Sequence, residues 1–346
     1  MSGLYTPAAL VRVVSAEDIQ KQLKTLFTDL FFTRAVTFET RDIILDTIDD
    51  PNIPIAAFCS PMVGSKVARD EGYESKSIRP GYMKPKSSID PNKLAVRPAG
   101  VTSEQYSSLD ARNIKVKQAI LKQSIAIRAR IEWLAVQAVT TGKNIIEGEG
   151  IERYELDWNI KSQNMITQAG GAAWSGKDKA TFDPNDDIET YSELSEGVTN
   201  IIIMGGNVWK KYRSFKAIKD VLDTRRGSNA QLETALKDLG DSVSFKGYMG
   251  DVAIVVYSGR YTDEDGTEKY FLDPDLMVLG NTALQGIVAY GGIQDPELIR
   301  MGITKAELAP KNYIVPGDPA IEYVQTHSAP QPIPARINRF VTVRVA

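Results

Sequence analysis

Residues 171–178 read GAAWSGKD, one position away from a phosphate-binding loop. The pattern G-x-x-x-x-G-K-[ST] is met by Gly171, Gly176 and Lys177, but its last position holds Asp178. A true match would make the chain a nucleotide hydrolase built on a strand–loop–helix unit. Such a loop follows a buried strand and opens a helix, so that backbone N–H groups face the phosphates. Here the upstream stretch NIKSQNMITQAG is polar, and downstream DKATFDP runs into a proline. Asp178 would also put a carboxylate where a hydroxyl should meet magnesium. The loop therefore reads as a glycine-rich surface turn, and the fold has to be sought in the segments around it.

The other chemical patterns fail in the same way. Asp183–Asp187 is acidic enough for calcium, but loop positions six and twelve would be Ile188 and Leu194 instead of Gly and Glu. Pro184 and the acidic first turn read better as a helix start. GEGIER at 148–153 lacks the third glycine of a dinucleotide fingerprint, and there is no G-x-S-x-G elbow. Cys59 and His327 are the only cysteine and histidine, so neither an intrachain disulfide nor a Cys/His zinc site can be built. A Cys–His dyad would need those two to meet, and Cys59 in IPIAAFCSPMV reads as a buried inert thiol. No catalytic, metal or cofactor constellation is left.

The bulk composition is that of an ordinary globular chain. Of 346 residues, 42% are hydrophobic and 25% charged, and 41 Lys plus Arg face 44 Asp plus Glu. A net charge of -3 argues against a dedicated nucleic-acid binder. No stretch approaches the ~18 apolar residues of a membrane helix. MSGLYTPAALVRVV makes a poor signal peptide, so the chain reads as cytoplasmic where it is made.

Periodicity outlines the architecture. Residues 15–32 have Ile19, Leu23, Leu26, Phe27, Leu30 and Phe31 at helical spacing behind Ser15 as N-cap. AVTFETRDIIL and IPIAAFCSPMV read as extended segments around Asp50-Pro51. Residues 64–105 are rich in Gly, Pro, Ser and Lys and are too polar to form a core of their own. They read as either a disordered segment or an extended excursion that packs on something else. A helix of roughly 45 Å follows from about Leu109 to Val139. Val116, Ile120, Ile127, Ile131, Leu134 and Ala138 form one stripe; Ile114, Leu121 and Ile125 form a second, so the helix should pack on two sides. KNIIEGEGIERYELDW predicts a hairpin turning at Gly148–Gly150. From about 160 the pattern is mixed: a buried strand GVTNIIIM, helices in NVWKKYRSFKAIKDVLDT and after Ser228, and a hairpin at Asp263–Gly266. AIEYVQTHS and FVTVRV alternate as two final strands. An arm, a polar excursion, a long two-sided helix and a mixed body suit a subunit that binds its own copies.

Four long runs carry a resemblance. QNMITQAGGAAWSGKDKATFDPNDDIETY, RSFKAIKDVLDTRRGSNAQLETALKDLG, VSFKGYMGDVAIVVYSGRY and MVLGNTALQGIVAYGGIQD resemble the major capsid protein E family of lambda-like tailed phages. RPGYMKPK and KNYIVPGDPA fit as well. The resemblance implies the Hong Kong 97-type capsid fold, in the α+β class. Its parts would be an N-terminal arm at 1–40, an extended loop region at 41–100, a peripheral domain with the spine helix at 101–160, an axial domain at 161–320, and peripheral return strands at 321–346. It also implies a major head protein that self-assembles as hexamers and pentamers, with a scaffolding protein, a portal and a small decoration protein. The precursor shell would expand as DNA is packaged, held inside without sequence-specific binding. Assembly would occur in the host cytoplasm, with no membrane, enzyme activity or cofactor involved. On that footing, Arg79, Tyr82, Lys84, Lys86, Arg225 and Arg226 are the expected assembly-interface residues, with the decoration protein touching Tyr82, Lys84 and the arm.

Overall fold

The run IIIM at 201–204 is buried on both sides, which fixes the centre of the molecule. The structure, a computed structural model, describes residues 25–48, 73–91, 107–221, 242–318 and 320–346. Its strands are β1 (Arg34–Thr37), β2 (Ile43–Ile48), β3 (Tyr73–Ile78), β4 (Lys86–Ile89), β5 (Lys143–Gly148), β6 (Ile151–Asp157), β7 (Met165–Thr167), β8 (Ile201–Met204), β9 (Val243–Met249), β10 (Val252–Tyr257), β11 (Arg260–Thr262), β12 (Glu268–Tyr270), β13 (Leu276–Gly280), β14 (Ile287–Tyr290), β15 (Ala309–Val315), β16 (Ile321–His327), β17 (Pro330–Ile333) and β18 (Val341–Arg344). Its helices are α1 (Leu26–Phe31), α2 (Ser108–Thr141), α3 (Pro184–Glu193), α4 (Gly206–Tyr212), α5 (Lys216–Val221) and α6 (Pro296–Arg300).

A six-stranded sheet of order β7-β18-β13-β8-β10-β9 carries helices on both faces. Alternate side chains serve the two layers. Ile201, Ile203, Ala253, Val255 and Val278 pack with α1 and the C-terminal half of α2. Ile202, Met204, Ile254, Met277 and Leu279 pack with Trp174, Ile188, Tyr212 and Phe215. Both faces are dry, so β8 and β10 read as unbroken apolar runs rather than alternating ones. Val341 and Val343 belong to this sheet as well. FVTVRV, grouped from sequence with the peripheral strands, instead pairs with β13 and β7, whose residues lie in 161–320.

The long helix is present as 34 residues, close to the sequence expectation. Ser107 caps it by accepting from Asp110 N–H at 3.3 Å, and Gly142 closes it in the left-handed region at φ 68. The first predicted stripe is buried, from Val116 to Ala138. Among the described residues the second is only partly covered: Ile114 is 53% exposed, and Leu121 and Ile125 are half-buried. The hairpins at Gly148–Gly150 and Asp263–Gly266 form as β5–β6 and β11–β12, and Asp183 caps α3 through Asn185 N–H.

The polar excursion differs from expectation. Residues 78–89 do not stand away from their own subunit. Ile78 and Ile89 are buried, Met83 bridges to Ser328, and β4 pairs antiparallel with β16. The reason is long-range pairing: a strand with only one or two apolar residues is stable when it completes another sheet. The first part of the predicted 15–32 helix, the Asp50-Pro51 turn, Cys59, residues 64–72 and 92–105, and the helix after Ser228 lie outside the described residues.

Candidate assembly interface

The motif that opened the sequence reading folds into short 3₁₀ turns, with no strand feeding a helix. Trp174 plugs the lower core and donates its indole N–H to Asp187 at 2.8 Å. Lys177 sits over the Phe182 ring at 4.8 Å. Asp178 accepts from Ala180 N–H and the Thr181 hydroxyl, and these bonds hold its carboxyl below the usual range. The Gly171–Asp178 loop is thus an internally bonded turn over a buried tryptophan.

Four of the expected contact residues fall on the β3–β4 segment. Arg79 pairs with Asp42 at 2.8 Å on an exposed surface, and this bond lowers the Asp42 carboxyl below the usual range. The Tyr154 hydroxyl donates to the Arg79 carbonyl, tying β6 to the same turn. Gly81 lies against Ile146 of β5, where a Cβ would come within 3.1 Å. Tyr82 is half-buried, and its hydroxyl lies 2.8 Å from His327 Nδ1 and accepts from Gln294 N–H at 3.2 Å. Lys84 is exposed. The Lys86 ammonium lies 3.6 Å from the centre of the Tyr323 ring and 5.6 Å from that of Tyr313. An exposed contact of that kind contributes about 0.5–1 kcal/mol. Arg225 and Arg226 lie outside the described residues.

Behind Tyr82 is a polar cluster that sequence reasoning passed over. Gln294 N–H donates to the phenol oxygen, the phenol and His327 Nδ1 share one hydrogen bond whose direction follows the ring tautomer, and the other ring nitrogen is Nε2. That nitrogen is buried, lacks a hydrogen-bond partner, and faces Asp295 Oδ2 at 3.8 Å. Burial pushes the His327 pKa down, Asp295 opposes it, and Lys311 and Lys84 add to it. Burial pushes Tyr82 up to about 12. Asp295 resists its own burial: the N–H of Leu298 and the Lys311 ammonium at 3.1 Å hold it below the usual range.

Polar residues of the long helix, among them Arg112, Gln123 and Glu132, bond to other elements. Arg112 makes a two-pronged bond to Glu322 of β16 at 2.8 and 2.5 Å. Gln123 donates to Ser87 of β4 and to the Val324 carbonyl, and accepts from Thr326. Glu132, fully buried, accepts from the start of α1 and from Tyr257. The signal for Glu132 was present: it is the one charged residue in the apolar stretch Ile131–Val139. Gln123 and Arg112 gave no such signal, and all of their partners but Ser87 are some 200 residues away.

The outer surface offers features suited to contact. An open cleft of about 800 Å³ is lined by Arg41, Arg79, Tyr82, Arg153 and Tyr154. A groove of about 430 Å³ lies between α2 and the β11–β12 hairpin, beside Arg130, Trp133 and Arg260. Around the Arg112–Glu322 bond, Leu109, Ile114, Ile314, Val315 and Ile321 are exposed. Among the described residues no cluster of three or more His, Cys, Asp or Glu could hold a metal ion, and no helix is long and apolar enough to cross a membrane.

Comparison with known proteins gives this surface a context. The family described as phage major capsid protein E matches residues 9–345. The major capsid protein of Escherichia phage lambda is 41% identical over 349 residues, covering 99% of this chain and 100% of that protein. The major capsid protein of Enterobacteria phage P21 is 42% identical over 344 residues, covering 99% of each. A crystal structure of a prophage capsid protein from E. coli CFT073 superposes with a TM-score of 0.85 at 52% identity over 99% of both chains. The capsid subunit of cyanophage A-1(L), at 11% identity, shares the fold with a TM-score of 0.51 over 93% of each chain.

Proposed function

The chain belongs to the phage major capsid protein E family, and from that premise we infer how its surface is used. It is a major capsid protein, a structural component of the virion that assembles with copies of itself into a shell, and not an enzyme. Our reading concerns the finer contacts. The axial part, about 161–320, faces the centre of hexamers and pentamers. The peripheral part, with α2 and β15–β16, meets neighbouring capsomers. The N-terminal arm and the β2–β4 region reach to adjacent copies.

The observation that carries this reading is the partly covered second stripe of α2, with Ile114 exposed, together with the exposed apolar residues around Arg112–Glu322. Apolar surface grouped in this way marks an interaction site. Heterologous contacts between identical subunits must close into a shell, and spreading them over an arm, a loop and a helix end lets hexamers and pentamers use one sequence. We further propose a scaffolding protein, a portal and a small trimeric decoration protein as partners. The decoration protein would sit near Tyr82, Lys84 and the arm. DNA lies inside the shell without sequence-specific contacts, and assembly takes place in the host cytoplasm.

Cross-linking tests these contacts. Particles assembled from a mixture of isotopically heavy and light subunits should give mixed-isotope lysine cross-links at Lys84 or Lys86 and in residues 108–125. If every link from these positions is within one copy, the proposed interface is wrong.

A further inference from the structure

Helix α1 begins at Leu26, yet the residue before it does not cap it. Thr25 has extended backbone, makes no side-chain cap bond, and its N–H donates to Asp29 at 3.1 Å. The free N–H groups of the first turn must still be satisfied. The acceptor comes from another element more than 100 residues away. Glu132 of α2 takes Leu26 N–H at 3.0 Å and Phe27 N–H at 2.9 Å on Oε1. It takes Thr28 N–H at 2.9 Å and the Thr28 hydroxyl at 2.7 Å on Oε2. The Tyr257 hydroxyl of β10 donates to Oε1 at 3.0 Å.

Glu132 is 0% exposed, and none of its five donors is a side-chain cation. Burying a carboxylate is costly unless donors replace its water. A serine or aspartate at position 25 would cap a six-residue helix without that cost. What a local cap cannot do is join three elements. Here one carboxylate binds the root of the N-terminal arm, the long helix and the central sheet at a single point. Apolar contacts share that point: the Phe27 ring lies 6.0 Å from Tyr257, and Phe31 meets Phe340 edge-on at 4.8 Å.

We infer that Glu132 is the positioning residue of the root of the N-terminal arm, fixing Thr25–Phe31 against α2 and β10. A bend or shift of α2 at Glu132 then carries the arm root with it. The inference rests on the reading that the arm contacts neighbouring copies, and it predicts that the node matters to assembly more than to folding.

The test is Glu132→Gln, which keeps the shape but replaces one acceptor oxygen by an NH₂ group that opposes the donors. Hydrogen exchange on unassembled subunits should show the amides of Leu26, Phe27 and Thr28 accelerated by about tenfold or more. Ile254 and Val255 in the same sheet should stay within about twofold. Shells from the variant should form in lower yield or with irregular size, while the native chain assembles in the same buffer. Equal exchange at 26–28 in both proteins, equal acceleration at 254–255, or native-like shells from the variant would overturn the inference. A native chain that fails to assemble would instead count against the capsid contacts. If Glu132→Gln does not accumulate as folded protein, Thr28→Val removes one donor only. It should then give about threefold acceleration confined to 26–28, and no acceleration there would sink the idea.

Discussion

At residue scale, the single histidine defines a pH response. Burial holds the His327 pKa below its ordinary value, so the folded chain keeps the ring neutral where the unfolded chain protonates it. The unfolded state therefore binds more protons below about pH 6.5, and stability rises with pH through that window. The contribution is fully present above about 6.5 and is lost as pH falls through the lowered folded value. Tyr82, Asp295, Lys311 and Lys84 all face this ring or act on it. Urea unfolding of subunits between about pH 5.5 and 7 should show this slope, and His327→Gln should flatten it. An unchanged slope would mean the carboxylates alone set the response. Tyr82→Phe should cost about 1 kcal/mol, because it leaves Gln294 N–H and His327 Nδ1 without their shared partner.

At the scale of elements, the long helix depends on its stop signal. Gly142 is left-handed at φ 68, and a Cβ there would lie 2.2 Å from the Ile160 side chain. Gly142→Ala should lose about 2–4 kcal/mol in equilibrium unfolding, combining the left-handed penalty with the clash. A loss under about 0.5 kcal/mol would mean that the chain after α2 is free to rearrange. Elements of this kind were legible in the sequence because their signals are local. The apolar stripe, the Gly-Glu-Gly turn, the Asp-Glu-Asp-Gly turn and the Asp183-Pro184 helix start all formed where they were expected. What stayed hidden was pairing across the chain. Nothing in KSSI announces that β4 completes a sheet with residues 322–325, and nothing in FVTVRV tells the central sheet from an outer one. Four of the six expected contact residues fall on the single segment 79–86, and the node at Glu132 was missed. A lone charge in an apolar stretch shows that a partner exists without showing which one.

At the scale of the whole molecule, one sheet is buried on both faces, and the less buried of the described residues sit around it. The near-phosphate-loop is a closed turn over Trp174, the second stripe of α2 is only partly covered among the described residues, and residues 26–28 are held at one buried carboxylate. These features are poor for a soluble monomer and suited to a subunit whose remaining apolar surface is covered by its neighbours. The most direct measurement is electron microscopy of the expressed native chain, alone and with the proposed scaffolding protein. The account predicts closed shells, capsomers or tubes whose subunit density fits this fold, with α2 lying in contacts between copies. A protein that stays a monodisperse monomer under both conditions would contradict it.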